Sequence, residues 1–184
     1  MYSLFIDTHD KNINIVLYED QKVLVHERFE SLKNHSIYVM PLIKKVIETQ
    51  KINKKDIKQL IVVSGPGSFT GVRLGITIAK TWAYVEKIPI KVLNYFEVMM
   101  ASIKIDNIKY LAIRDSKGSY LMDTNNLSMY YLNNSNLLNL DNILFEEDVV
   151  IDYERVYNYT LSKETVNPHS IKPLYIKKIG VGND

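Results

Sequence analysis

A glycine-rich segment at residues 64–75 holds the residue types and spacing most suited to chemistry. It reads Ser-Gly-Pro-Gly-Ser-Phe-Thr-Gly-Val-Arg-Leu-Gly and contains four of the seven glycines of the chain. Gly65 and Gly67 suit turn positions with a positive φ, which residues with a Cβ resist. Ser68 or Thr70 can cap a following helix, whose first N–H groups and positive dipole end are then available to an anion. One prediction is therefore an anion site whose residues are Gly65, Pro66, Gly67, Ser68, Phe69, Thr70 and Gly71.

A tight strand-to-helix turn is the alternative explanation of the same segment. Gly71 and Gly75 are one helical turn apart, and two such glycines let another backbone approach closely. The standard nucleotide motifs do not fit, because no register places a lysine after glycines spaced five apart and Thr70 takes the third glycine position of the dinucleotide fingerprint. Both explanations remain open on the sequence.

The remaining polar residues offer no catalytic constellation. A zinc site needs three or four clustered ligands, so we interpret the scattered histidines as lone surface residues: His9, His26, His35 and His169. The absence of cysteine excludes disulfides, thiolate metal sites and a cysteine nucleophile. We therefore predict no catalytic residue, no metal and no cofactor.

Length and composition exclude several classes of protein. The chain has 184 residues, 23 Lys+Arg against 21 Asp+Glu, and 46% apolar residues. A formal charge of +2 gives no broad basic field for nucleic acid, and the apolar content argues against disorder. No apolar run approaches the ~20 residues that span a bilayer, and Asp7 and Asp10 interrupt the apolar start of the chain. We expect a cytoplasmic protein without membrane association.

The elements that position the glycine-rich segment follow the order β-β-β-α-β-α-β-α. Short β-branched runs predict strands, and apolar residues three or four apart predict helices. The predicted elements are strands at 4–6, 13–17 and 23–25, a helix from 34 to the basic connection at 51–56, a strand at 60–63, a helix at 70–86, a strand at 90–93 and a helix at 95–103. This α/β order is typical of the ribonuclease-H-like lobe of the actin-like ATPase superfamily.

The second half of the chain has weaker patterns. Strands are predicted at 109–113, 118–122 and 127–132, and the run Val149–Ile151 predicts a further buried strand. We therefore divide the chain into a ribonuclease-H-like lobe at 1–104 and a smaller, shortened second lobe at 105–184.

The helix predicted at 70–86 is apolar on two sides. One stripe consists of Val72, Ile76, Ala79 and Ala83, and a second, roughly opposite, consists of Leu74, Ile78, Trp82 and Val85. Such a helix needs two surfaces to pack against. One side can cover the sheet, and the other can face a second helix, the second lobe or another protein.

Residues 65–75, followed by Ala79, Lys80 and Ala83, resemble the signature of the TsaB (YeaZ) family. Residues 5–8, 34–43 and 173–177 resemble other parts of that family in the same order, although His9 stands where the family usually has Ser. The likeness covers about residues 1–105. The family's members are the dimerisation subunit of the bacterial system that makes threonylcarbamoyladenosine in tRNA.

The resemblance implies a non-catalytic scaffold rather than an enzyme. It implies a heterodimer with TsaD, which the scaffold activates to modify N6 of adenosine 37 in tRNAs that read ANN codons. It also implies that TsaE joins the complex, that tRNA is contacted indirectly, and that the chain alone forms a homodimer. The contact with TsaD falls on the first two helices, and the residues that we assign to it are Met40, Ile43, Val72, Ile76, Ala79 and Ala83.

A nucleotide enzyme is the second hypothesis. In actin-like ATPases, an Asp at the end of the first strand lies near the bound metal and phosphates. Asp7 and Thr8 stand at that position, and we interpret them as a vestigial nucleotide site. If the site is intact, the chain is instead a small actin-like nucleotide hydrolase or phosphotransferase, with residues 65–71 on the phosphate.

Overall fold

The first thirty residues fold into an antiparallel meander, as their β-branched runs predict. The computed structural model describes residues 1–31 and 34–177. Three strands pair in sequence order, β1 (Tyr2–Asp7), β2 (Asn12–Glu19) and β3 (Lys22–Glu30). β2 is buried at every residue but its last, whereas β3 alternates between exposed and half-buried residues. β3 is therefore an edge of the sheet.

Two parallel strands complete this first sheet. β4 (Ile57–Val63) pairs with β1, and β5 (Ile90–Leu93) pairs with β4, giving the order β3-β2-β1-β4-β5. The helices between and after them are α1 (His35–Thr49), α2 (Phe69–Glu86) and α3 (Tyr95–Ser102). The predicted β-β-β-α-β-α-β-α order is confirmed.

The two faces of the first sheet bury separate cores. Successive side chains of a strand point to opposite faces, so Leu4 and Ile6 contact α1 and α2 while Phe5 lies on the other face. On that second face the sheet packs against α3 and the second sheet. α1 and α2 therefore have one side on the first core and the other side away from it.

The second sheet is smaller. It contains β6 (Tyr110–Asp115), β7 (Gly118–Asp123), β8 (Met129–Asn133) and β9 (Ile143–Phe145), in the order β8-β7-β6-β9. A short helix, α4 (Asn134–Leu137), follows β8. The other short elements are single 3₁₀ turns at Lys54–Asp56, Glu146–Asp148 and Pro168–Ser170.

The chain then returns to the first sheet through α5 (Tyr153–Thr160). The Asp152 side chain accepts hydrogen bonds from the backbone N–H groups of Glu154 and Arg155, which starts the helix. Tyr157 is buried with its ring centroid 4.8 Å from that of Tyr18. Sequence patterns missed this helix, since its eight residues are mostly tyrosine and polar residues. The division of the chain at residue 104 stays a prediction.

The buried strand expected at Val149–Ile151 is wrong. These residues form no strand, and Val150 is 87% exposed. Three β-branched residues in a row favoured a strand, but the segment is the connection that leads to the capped start of α5. None of the helices in the described ranges is long and apolar enough to cross a membrane.

Candidate functional site

The glycine-rich segment forms the turn between β4 and α2. Gly65 and Gly67 both have a positive φ, of 101° and 155°, and the Gly65–Pro66 peptide bond is cis. The Ser68 side chain accepts a hydrogen bond from the Gly71 N–H at 3.2 Å and so caps α2. The positive-φ turn and the serine cap predicted from the sequence are confirmed.

Gly71 and Gly75 lie directly against Thr8, in the turn after β1. A Cβ at Gly71 would stand 2.1 Å from the Thr8 carbonyl oxygen, and a Cβ at Gly75 would stand 2.4 Å from Thr8 Oγ1. The Thr8 hydroxyl donates to the Gly71 carbonyl at 2.7 Å. The close approach predicted for these two glycines is confirmed, and the approaching chain is the β1–β2 turn.

His9 fills the next position of the same turn. Its backbone oxygen accepts from the Ser68 N–H at 2.6 Å, and a Cβ at Gly67 would stand 2.2 Å from that oxygen. Three of the four glycines therefore serve the packing of the β1–β2 turn. The N–H groups of Ser68 and Gly71 already have partners, and anion binding at residues 65–71 stays a prediction.

The His9 ring is buried between two carboxylates. Nδ1 lies 2.8 Å from Asp7 Oδ1, Nε2 lies 3.1 Å from Glu146 Oε2, and the ring stacks on Tyr95 at 3.6 Å between centroids. Burial alone would lower the pKa of His9, but the Asp7 charge and the hydrogen bonds to Asp7 and Glu146 raise it well above 6.5. Asp7, the candidate nucleotide residue, is thus bonded within the protein.

The interpretation of the histidines as surface residues is wrong for His9 and His35, which are both buried. The Nδ1 atom of His35 is hydrogen-bonded to the Ser31 hydroxyl, and its Nε2 atom is hydrogen-bonded to the Asp10 carbonyl oxygen. The spacing Asp-x-His at the end of a strand is the one sequence signal for the Asp7–His9 contact. Nothing local predicts Glu146, which is 137 residues further along.

A cleft of about 860 Å³ separates the first sheet's turns from the second sheet. His9, Ser68 and Thr70 line one wall, and Ile113, Arg114 and Tyr120 line the other. In residues 1–31 and 34–177 no three His, Asp or Glu side chains are placed to hold a metal ion.

The structure corrects five of the six residues assigned to the partner interface, four on α2 and one on α1. The inner side of α2 faces the first sheet, and all its members are buried: Gly71, Val72, Gly75, Ile76, Ala79 and Ala83. Val72, Ile76, Ala79 and Ala83 are therefore core residues, out of reach of a partner. Glycine and alanine on this side let the helix lie close to the sheet.

The other apolar stripe of α2 lies outside, next to α1. We call the joint surface the outer face; its apolar members are Ile37, Met40, Leu74, Ile78, Trp82 and Val85. Ile37, Met40 and Val85 are 61%, 51% and 64% exposed. A groove of about 910 Å³ runs between the two helices, and Met40, Ile43 and Trp82 are among its lining residues. Ile43 is a core residue of α1, 2% exposed, and is corrected for the same reason as the α2 residues. Met40, as a partner-binding residue, stays a prediction.

The segments that resemble one family meet in space. The Leu174 N–H donates to the Ser64 carbonyl at 2.8 Å, which fastens the segment at 173–177 to the start of the glycine-rich turn. On its other side, the glycine-rich turn packs on Thr8 and His9 of the β1–β2 turn. Residues far apart in the sequence thus form one structural unit around the start of α2.

Comparison with known proteins finds one family model and several curated relatives that are similar in sequence. Residues 26–164 match the family model of TsaD, tRNA N6-adenosine threonylcarbamoyltransferase. Over 102 residues the chain is 34% identical to TsaB, a tRNA threonylcarbamoyladenosine biosynthesis protein of Bacillus subtilis, with 55% of this chain and 44% of that protein covered. Over 90 residues it is 36% identical to TsaB of Escherichia coli, with 48% and 38% covered. The match spans less than half of either relative.

Solved structures agree in fold. YeaZ from Pseudomonas aeruginosa superposes with a TM-score of 0.73 at 13% identity, covering 95% of this chain and 100% of that chain. A second Pseudomonas aeruginosa structure, of a protein similar to peptidase YeaZ, gives 0.75 at 12% identity, with 96% and 99% covered. The expected α/β fold class is confirmed, and the fold is that of the YeaZ structures. The chain belongs to the family that the TsaD model describes, and it is similar to TsaB in sequence and to YeaZ in fold.

Proposed function

We propose that the chain is a non-catalytic subunit in the biosynthesis of threonylcarbamoyladenosine in tRNA, and that it binds TsaD through its outer face. Binding activates TsaD to modify N6 of adenosine 37 in tRNAs that read ANN codons. TsaE joins the assembly, and tRNA is contacted through the complex. The observation that carries the proposal is the apolar outer face of α1 and α2, joined to a sequence match with TsaB relatives.

The outer face has the composition of a helix-docking surface. Half or more of the surface of Ile37, Met40 and Val85 is exposed, and they lie along two adjacent helices rather than singly. Contiguous exposed apolar residues of this kind mark protein–protein contacts. A groove between two helices accepts the apolar side of a third. In the absence of TsaD, the same face would pair two copies of the chain.

The site around His9 supports a scaffold rather than a hydrolase. A nucleotide enzyme would need Asp7 available to a metal ion, yet its Oδ1 accepts from both the backbone N–H and the ring of His9. Thr8 fills the space beside Gly71 and Gly75. The junction thus holds the start of α2 in place for docking.

Binding to TsaD from the same organism tests the proposal. Met40→Asp and Val85→Asp place a charge on the outer face, and each is expected to raise the dissociation constant at least about 30-fold, because a buried unpaired charge opposes docking. TsaD-dependent formation of threonylcarbamoyladenosine should fall in parallel. Val150→Asp is the matched control, since Val150 is equally apolar and 87% exposed, and its neighbours Val149 and Ile151 pack on the core at the other face of the sheet.

Unchanged binding by both outer-face variants would contradict the proposal. The hydrolase alternative has its own measurement, calorimetric titration of the purified chain with Mg-ATP. We expect no heat of binding, and tight binding by the chain alone would favour the hydrolase instead.

A further inference from the structure

Arg73 is held in one conformation at the edge of the outer face. Its guanidinium carbon lies 3.7 Å from the centroid of the Phe69 ring, and its Nε donates to the Tyr175 hydroxyl at 2.7 Å. The rings of Phe69 and Tyr175 are 5.5 Å apart and tilted by 31°. An arginine loses side-chain freedom when it binds a ligand, and these two contacts restrict the Arg73 side chain before any ligand binds.

The Nη atoms of Arg73 make no hydrogen bond with the described residues. Among the described residues, Arg73 makes a hydrogen bond only through Nε, and no carboxylate lies within 4.0 Å of it. The exposed Arg114 and Arg155 differ, since each is paired with an acidic side chain, Glu147 and Asp152 respectively. The four Nη N–H donors of Arg73 therefore make no hydrogen bond with the described residues, in a cluster whose two rings, Phe69 and Tyr175, are each 46% exposed.

We propose that the guanidinium of Arg73, already positioned by Phe69 and Tyr175, binds a carboxylate of TsaD at the edge of the outer face. We call this guanidinium, with its paired N–H donors, the fork. This inference rests on the proposed function, and it adds a specific polar contact to the apolar groove. A planar guanidinium bonds a carboxylate through two parallel N–H groups, which fixes orientation as well as affinity. Phe69 and Tyr175 are positioning residues, because they hold the guanidinium without contacting the partner's carboxylate.

A protein carboxylate fits this cluster better than an RNA phosphate. Arg73 lies one helical turn before Thr77, which lines the groove of the outer face, so it borders the proposed docking surface. Its immediate neighbours are aromatic, and a combination of Arg with aromatic residues is typical of the residues that dominate protein–protein binding. Phosphate tracking would instead favour several lysines around the site.

Calorimetric titration of TsaD with variants of the full chain tests the fork. At 0.1 M salt we expect Arg73→Gln to raise the dissociation constant about 30-fold and Arg73→Lys about tenfold, because lysine keeps the charge but not the paired donors. Tyr175→Phe, which removes only the hydroxyl that holds Nε, should cost about threefold. At 0.5 M salt the difference between the wild type and Arg73→Gln should shrink, since salt screens the charge pair. Arg155→Gln is the matched arginine control on α5 and should bind as the wild type does.

The outcomes separate this inference from the proposed function. Binding by Arg73→Gln within twofold of the wild type, while Val85→Asp loses binding, would overturn the fork and leave the docking face intact. Loss of tRNA binding by the preassembled complex, with TsaD affinity unchanged, would assign Arg73 to phosphate and also overturn the inference. Failure of the wild-type chain to bind TsaD would overturn both. Circular dichroism of each variant checks that folding is retained.

Discussion

The inner side and the outer face share one helix, α2, and carry stripes with the same four-residue spacing. The inner side combines Val72 and Ile76 with four small residues, Gly71, Gly75, Ala79 and Ala83, and it lies buried on the first sheet and the β1–β2 turn. The outer stripe is large, Leu74, Ile78 and Trp82, and it lies beside α1 and the groove. The difference shows what the glycines add, because at Gly71 and Gly75 the backbone of α2 lies directly against Thr8 of the β1–β2 turn.

The strongest test of this difference places the same charge on both sides. Ile76→Asp buries an unpaired carboxylate and is expected to lower the free energy of unfolding by about 4 kcal/mol or more. Val85→Asp, at an exposed position of the same helix, should change it by no more than about 0.5 kcal/mol. Urea unfolding measures both. Similar losses for the two variants would mean that the outer face is also core.

The glycines allow a sharper test of close approach. In an open helix, Gly→Ala stabilises by about 1 kcal/mol, but here we expect Gly71→Ala and Gly75→Ala to destabilise the fold by about 2 kcal/mol each. Gly71→Ala meets the backbone oxygen of Thr8, and no side-chain change relieves that contact. Gly75→Ala meets Thr8 Oγ1, so Thr8→Ala should recover about half of its loss.

Double-mutant cycles with Thr8→Ala separate the Gly71 contact from the Gly75 contact, with the free energy of unfolding measured by urea. Thr8→Ala should rescue Gly75→Ala and leave Gly71→Ala unrescued. Equal rescue of both would contradict the geometry at Thr8.

The smallest effect is expected just before the start of α2, where the backbone of His9 packs on Gly67. The pKa of His9 is raised above 6.5 in the folded chain. Its contribution to stability is therefore complete below pH 6.5 and falls as pH rises through the folded-state pKa. The free energy of unfolding should decrease above pH 6.5 more steeply in the wild type than in His9→Asn. His26→Asn, whose histidine has a lowered pKa, is the control and should keep the wild-type slope. Identical slopes for the wild type and His9→Asn would contradict this.

The sequence predicted the parts of the molecule that depend on local patterns. The element order of the first sheet, the Ser68 cap and the positive-φ glycines follow from β-branched runs, helical spacing and the steric freedom of glycine. It did not predict which stripe of α2 is buried. The helical spacing shows that two apolar stripes lie on different sides of the helix, but it does not show which of them faces the sheet. The contact between His9 and Glu146 was equally out of reach, since it joins elements that only the fold brings together.

The bond between Leu174 and Ser64, and that between Tyr175 and Arg73, have a consequence for the order of events during synthesis. The ribosome makes α1, α2 and the groove about a hundred residues before it makes the segment that fastens Arg73. A nascent chain can therefore bury the inner side of α2 early while its guanidinium is still unrestrained. The contacts that hold the Arg73 guanidinium therefore form only after residue 175 has left the exit tunnel, later than the burial of the inner side of α2.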